Sequence, residues 1–333
     1  MNKRKLGSGG TEVSAIGIGA LSFTEFYGPT DTEKSHAILS AALDLGIDNL
    51  DTSNVYGAGL SEERIGSFLA KQGAGGRSLF RIATKAGIRR GKDGANFFDN
   101  SKNYLTGELD KSLQRLGVET VELYYMHRRD QSIPIEEVTE TLAGFIKAGK
   151  IKQFGFSEIS PTSLARAVAV HPVGAVQSEY SLSTRSPELG LVQKTAELGA
   201  TLVAFSPVGR SLLTDKPHTR DKAETYSFLV NNPRFMEPNL TANIAATIGF
   251  RALADDLGVK ASSLAIAWLL HQGDHILPIP GTRSVEHLKE LAKGTELTLS
   301  PDDLDEIERR LPVGWAHGDR YSDVQWVGPE KYC

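Results

Sequence analysis

A short apolar run followed by an amphipathic stretch recurs eight times along this chain, with no linker-like break between repeats. The strand-like runs are residues 16–19, 47–50, 80–84, 121–126, 151–156, 175–177, 201–205 and 275–279. Helical periodicity fills the gaps. In 33–45, for example, Ala37, Ile38, Ala41, Ala42 and Leu45 share one face, and Thr30 with Glu33 reads as a capping box. Further helices are expected over 62–71 (capped by Ser61), 101–116, 135–148, from Ser160-Pro161, from about Pro187, and over 242–256, 262–271 and 284–292. Strict alternation of strand and helix implies a parallel sheet. Eight right-handed units close into a cylinder, so the expected fold is an α/β (β/α)8 TIM barrel spanning 1–333 as one domain.

Two additions decorate that scheme. Residues 3–6 and 12–15 flank Gly7-Ser8-Gly9-Gly10 and predict an N-terminal hairpin. Ser300-Pro301-Asp302-Asp303 starts an extra C-terminal helix, followed by an irregular tail. Residues 86–99 and 208–240 lack periodicity and read as loops, and a loop as long as the second is usually functional or mobile. The competing fold is an open, doubly wound sheet. Its nucleotide fingerprint fails here, because Gly17-Ile18-Gly19 is followed by Ser22 where the third glycine belongs.

The strand-to-loop junctions of such a barrel form one mouth, where active sites sit. Asp51 and Tyr56 follow the second strand run, Lys85 ends the third and His127 ends the fourth. A closed barrel brings these four side chains into one pocket. Their chemistry suits proton donation to a carbonyl oxygen. A phenol near its ordinary pKa of about 10 is a weak acid at neutral pH. An adjacent ammonium is expected to lower that value, and an aspartate to hold the ammonium in place. A histidine can orient the carbonyl or relay the proton.

Other signals narrow the classes. The net charge of −4 gives no general pull toward nucleic acid or an anionic membrane. No run approaches the roughly 20 apolar residues of a membrane span. Met1-Asn2-Lys3-Arg4-Lys5 is not followed by an apolar segment, so no signal peptide is expected. The one cysteine is Cys333, which rules out an internal disulfide and suits a reducing, cytoplasmic setting. The histidines show no metal-binding spacing, so no metal is expected. Gly144–Ile151 is one residue short of a phosphate loop, and Gly149 reads as a helix C-cap. Arg128 and Arg129 admit two readings, an anionic substrate or an ion pair with Asp130 or another loop acid.

These residues resemble the aldo-keto reductases, metal-free NAD(P)H-dependent barrel enzymes. The resemblance covers nearly the whole chain. Asp51-Thr-Ser-Asn-Val-Tyr56-Gly, Lys85 and Tyr125-Met-His127 match that family's catalytic tetrad, with Tyr56 as general acid. Gly155-Phe-Ser157-Glu158, Gln177-Ser-Glu-Tyr180, Ala204-Phe205-Ser206-Pro207 and Ile279-Pro-Gly281-Thr282-Arg283 match its cofactor segments. Glu158 stands where many members have asparagine, as in a branch that includes plant perakine reductase.

The resemblance implies that Ser157 and Gln177 hold the nicotinamide carboxamide, with Glu158 beside them, and that Phe205 stacks on the ring. It implies that Ser206, Val208 and Arg210 follow the pyrophosphate under a flap formed by 208–240. It puts Gly281, Thr282, Arg283, His287 and Glu290 around the adenosine end. Gly281 replaces a lysine that some branches use on the 2′-phosphate, and Arg283 is the expected substitute. NADPH is therefore the expected cofactor, with NADH second, and a small carbonyl compound the expected substrate. Phe23, Phe26 and Tyr27 with Trp315, Tyr321 or Trp326 are expected to line an aromatic pocket. The alternative function is a cofactor-binding regulatory or redox-sensing subunit, like the potassium-channel β-subunits of the same fold. The oligomeric state is left open.

Overall fold

A computed structural model describes residues 1–7, 9–91 and 96–332. Eight parallel strands form its centre: β1 (Gly17–Gly19), β2 (Asn49–Asp51), β3 (Arg81–Ala86), β4 (Val121–Met126), β5 (Ile151–Ser157), β6 (Ala175–Glu179), β7 (Thr201–Phe205) and β8 (Ile276–Pro278). Each pairs with the next in parallel register, in unbroken order from β1 to β8. The seam between β1 and β8 is narrower. There the Gly19 amide donates to Pro280 O at 2.9 Å, and a Cβ on Gly19 would sit 2.7 Å from Ile279 O. Glycine at position 19 lets the two ends of the sheet meet, giving the (β/α)8 barrel.

Alternation along the strands sorts side chains into two layers. Ala83, Leu123, Tyr125, Ala175, Val203 and Leu277 point to the barrel axis and form an inner core with Leu6 and Val13. Those last two come from the N-terminal hairpin, Lys3–Lys5 paired with Glu12–Ser14, which plugs the barrel floor. The other strand face packs against the surrounding helices in a far larger core. Lys85 lies two residues beyond Ala83, Gln177 two beyond Ala175, and Phe205 two beyond Val203, so all three point inward at the same rim.

Several local expectations need correction. Residues 86–99 are not simply a loop, because Ile88–Arg90 pairs with Asn96–Phe98 in a hairpin. Its tip lies outside the described residues, as do Ser8 of the first turn and Cys333. The helix Thr32–Asp44 is capped by Asp31, whose carboxylate accepts from Lys34 N at 2.7 Å, not by Thr30 and Glu33. The helix Leu60–Lys71 starts at Gly59, with φ of 99°. Ser61 is not its cap but its second residue, and its hydroxyl accepts from Thr52 and donates to Ala20 O. The helix expected over 242–256 is two, Asn239–Ala246 and Ile248–Asp256. The caps Ser160 and Ser300 are where the sequence puts them, the second as a full capping box, and the helix expected from about 101 is Lys102–Leu116 with Ser101 as its cap. No helix among the described residues is long and apolar enough to cross a membrane.

Candidate active site

The barrel mouth gathers Asp51, Tyr56, Lys85 and His127. Asp51 closes β2, Lys85 and Tyr125 are paired across β3 and β4, and His127 is fixed by its amide bond to Ala86 O at 2.7 Å. Tyr56 follows β2 in a tight turn in which Gly57 and Ala58 both adopt positive φ. Lys85 is fully buried, and its ammonium has three N–H groups for three acceptors. It pairs with Asp51 Oδ1, donates to Thr52 O at 2.9 Å, and donates to the Tyr56 hydroxyl at 3.4 Å. An ammonium has no lone pair, so Tyr56 oxygen is the acceptor in that bond. The phenol proton therefore points elsewhere. Asp51 Oδ2 accepts from Gln177 Nε2 at 2.8 Å, which ties the pair to β6.

Burial raises the Asp51 carboxyl above its ordinary value, against the pull of Lys85 and Gln177. Burial works against the Lys85 ammonium too, but attraction to Asp51 and Tyr56 prevails and raises it. For Tyr56 the expected direction is reversed. Burial pushes the phenol above 10, and the Lys85 ammonium opposes this without overcoming it. Tyr56 is thus a phenol that keeps its proton at neutral pH. Burial, then the charges of Arg128 and Lys85, hold His127 well below 6.5, so its imidazole is neutral. Its Nδ1 lies 3.1 Å from Ser53 Oγ, and its ring meets Tyr56 edge-on at 6.0 Å.

Around the same rim, Ser157 of β5 is directly opposite Gln177 of β6. Ser157 Oγ accepts from Arg128 at 2.9 Å. Phe205 is half-buried, and the chain after it turns through positive φ at Ser206, Gly209, Arg210 and Ser211. Val208 sits half-buried in that turn. Gly281 packs against β1, where a Cβ would be 2.8 Å from Gly19 O. The Thr282 hydroxyl bridges the backbone of Ser284. Arg283 reaches Pro29 O at 3.4 Å and Tyr226 hydroxyl at 3.5 Å, with no carboxylate at ion-pair distance among the described residues. His287 is exposed and Glu290 half-buried on the helix Val285–Lys293.

Beside this rim lies a charge cluster that sequence reading missed. Glu158, at φ 57°, accepts from both terminal nitrogens of Arg320 and from Glu179 N at 2.8 Å. Burial works against its carboxylate, but Arg320 prevails and lowers its pKa. Glu179 is gripped by both terminal nitrogens of Arg210. Arg234 stands 3.8 Å away, and burial pulls it down to about 10 despite Glu179. The matched stretch Gln177-Ser178-Glu179-Tyr180 contained Glu179, but nothing in spacing linked it to arginines on the flap and tail.

The expected aromatic pocket is partly corrected. Phe23 belongs to the helix-facing core, and Trp315 donates to Leu182 O beneath the flap. The remaining rings form an arc: Tyr27 on Phe26 at 4.9 Å, Phe26 on Phe228 at 5.3 Å, Phe228 on Tyr321 at 6.3 Å and Tyr321 on Trp326 at 5.5 Å. Phe228, from the flap, is the member sequence reading did not name.

A closed (β/α)8 barrel with this polar group at its strand ends has the architecture of a barrel enzyme. Residues 15–311 match the aldo/keto reductase family, and the chain belongs to it as an NAD(P)H-dependent oxidoreductase. The chain is 36% identical over 322 residues to aldo-keto reductase yakc [NADP(+)] of Schizosaccharomyces pombe, covering 96% of this chain and 94% of that protein. Its structure resembles glycerol dehydrogenase AKR11B4 of Gluconobacter oxydans, with TM-score 0.81, 27% identity, and 93% and 96% of the two chains covered. It also resembles the holo form of aldo-keto reductase AKR11C1 of Bacillus halodurans, with TM-score 0.78, 25% identity, and 98% and 99% covered.

Proposed function

We propose that this protein reduces aldehydes or ketones to alcohols with NADPH, using Tyr56 as the proton donor. One observation carries the reading: Lys85 donates to the Tyr56 oxygen and leaves the phenol proton free to reach a bound carbonyl. When bound, the nicotinamide supplies the hydride to the carbonyl carbon. Tyr56 passes its proton to the carbonyl oxygen as that oxygen gains negative charge. Lys85, held by Asp51, faces the phenolate that remains and stabilises it until solvent returns a proton. Neutral His127 orients the carbonyl through Nε2–H, provided that Ser53 donates to Nδ1.

The residues present fit a dinucleotide. Ser157 and Gln177 present side-chain polar groups side by side for the carboxamide, next to Glu158, and Phe205 offers a ring face. Turns with repeated positive φ, as over 206–211, direct backbone amides toward an anion, which suits a pyrophosphate beside Ser206, Val208 and Arg210. Both terminal nitrogens of Arg210 are already engaged by Glu179, so its contact there would come from its backbone and not from its guanidinium. Gly281, Thr282, His287 and Glu290 would flank the adenosine. Arg283, a guanidinium without a carboxylate partner among the described residues, would bind a 2′-phosphate. That favours NADPH over NADH, in keeping with the cofactor in the yeast relative's name. The Gly155-Phe156-Ser157-Glu158 stretch supports a place in the branch that includes perakine reductase. The test is a competitive NADPH/NADH titration followed by a panel of aldehydes and ketones, read as cofactor consumption. NADPH-preferring turnover is expected. Tight NADPH binding with no substrate consumed would favour the regulatory reading.

A further inference from the structure

The two arginines after β4 part company in the structure. Arg129 turns to the C-terminal tail, where its Nε lies 3.2 Å from Glu330 Oε1. The neighbouring buried guanidiniums are paired as well, Arg210 with Glu179 and Arg320 with Glu158. Arg128 is not. Among the described residues it has no carboxylate at ion-pair distance. A single terminal nitrogen makes its protein contacts, to His127 O at 2.7 Å and Ser157 Oγ at 2.9 Å. Its Nε and second terminal nitrogen have no protein partner among the described residues and are not sealed from solvent.

Arg128 is nonetheless held firmly. Its carbonyl accepts from Asn100 Nδ2 at 2.9 Å. Its stem packs beneath Gly328 of the tail, where a Cβ would come within 3.1 Å of Cδ. A half-buried cation that acts on Glu158 only at a distance, that carboxylate being gripped by Arg320, carries a desolvation cost, and part of that cost is recovered when an anion docks. This cation stands at the reacting end of the site, one residue from His127 and bonded to Ser157. It is not at the end assigned above to the phosphates. Its open edge, two N–H-bearing nitrogens in a plane, matches a carboxylate.

We propose that Arg128 selects carbonyl substrates bearing a carboxylate a few bonds from the reacting carbonyl. This rests on the reading of the site as a carbonyl reductase. The bond changes are those already described: hydride to carbon, the Tyr56 proton to oxygen, and loss of the C=O π bond. The carboxylate is a handle and takes no part in them.

The test compares 4-oxobutanoate with butanal, a neutral aldehyde of the same chain length, in wild type, Arg128→Gln and Arg128→Lys. Wild type should favour 4-oxobutanoate in kcat/KM. In Arg128→Gln that preference should shrink by about 10- to 100-fold, as expected for losing a hydrogen bond to a charged group. The loss should appear in KM for 4-oxobutanoate with kcat largely kept. Arg128→Lys should restore part of the preference through charge alone. Wild type that favours butanal, an equal loss on both aldehydes, or a weakened grip on NADPH in Arg128→Gln would overturn the proposal while leaving carbonyl reduction standing. Failure of wild type to consume any carbonyl would overturn both readings.

Discussion

Tyr56 shows how residue types and their surroundings divide the work. The sequence supplies a phenol, an ammonium and a carboxylate in an order that a barrel brings together. Degree of burial is not written in that order, and it decides the sign of the pKa shift. The phenol ends above its ordinary value, so it keeps its proton at neutral pH. Ser53 adds a second dependence. Its hydroxyl is the one side-chain partner of His127 Nδ1 among the described residues, and it also lies 3.3 Å from Lys85 O. If Ser53 spends its proton on that carbonyl, His127 must carry its own on Nδ1 and cannot donate from Nε2. Ser53→Ala should therefore lower kcat/KM for a neutral aldehyde by about tenfold, the value of one modest hydrogen bond, with NADPH affinity unchanged. Wild-type turnover in that variant would remove Ser53 from a positioning role. Asp51, Tyr56, Lys85 and His127 were readable because each ends a strand run or follows one. Ser53 was visible only as part of a motif.

At the scale of elements, the tail and flap are what sequence patterning could not reach. Glu158 and Arg320 are 162 residues apart, and no period connects them. The hairpin within 86–99 escaped because its strands are three residues each, too short to show alternation. The tail is fastened along its length: Arg320 to Glu158, Glu330 N to Glu158 O at 2.8 Å, and Glu330 Oε2 to Ser160 N at 2.8 Å. Arg320→Ala would leave the Glu158 carboxylate buried without its partner. Breaking a buried pair in this way costs about 3–5 kcal/mol. We expect a loss of that order in urea unfolding, with residues 315–332 losing hydrogen-exchange protection first. Wild-type protection there would show that the tail is held by its aromatic packing alone.

At the scale of the whole molecule, the barrel was legible because its rule is global: eight alternating units admit few topologies. The seam is where the rule needs a local device, and Gly19 supplies it. Stability of the whole fold should depend on pH through His127. Its folded pKa is held well below 6.5, so as pH falls below that value the unfolded chain takes up a proton the native one refuses. Stability should therefore decline as pH drops from 6.5 toward the lowered native value, and His127→Gln should flatten that part of the profile in urea titrations. An identical slope in the variant would assign the dependence to other groups.

The central claim is that the Tyr56 hydroxyl delivers the proton. The most direct measurement is kcat for a neutral aldehyde in Tyr56→Phe, with the NADPH dissociation constant determined alongside. The variant keeps the ring and removes only the acid, so kcat should fall by about 10²- to 10⁴-fold while the dissociation constant stays at its wild-type value. Turnover within a few-fold of wild type, with the cofactor bound as before, would contradict the account.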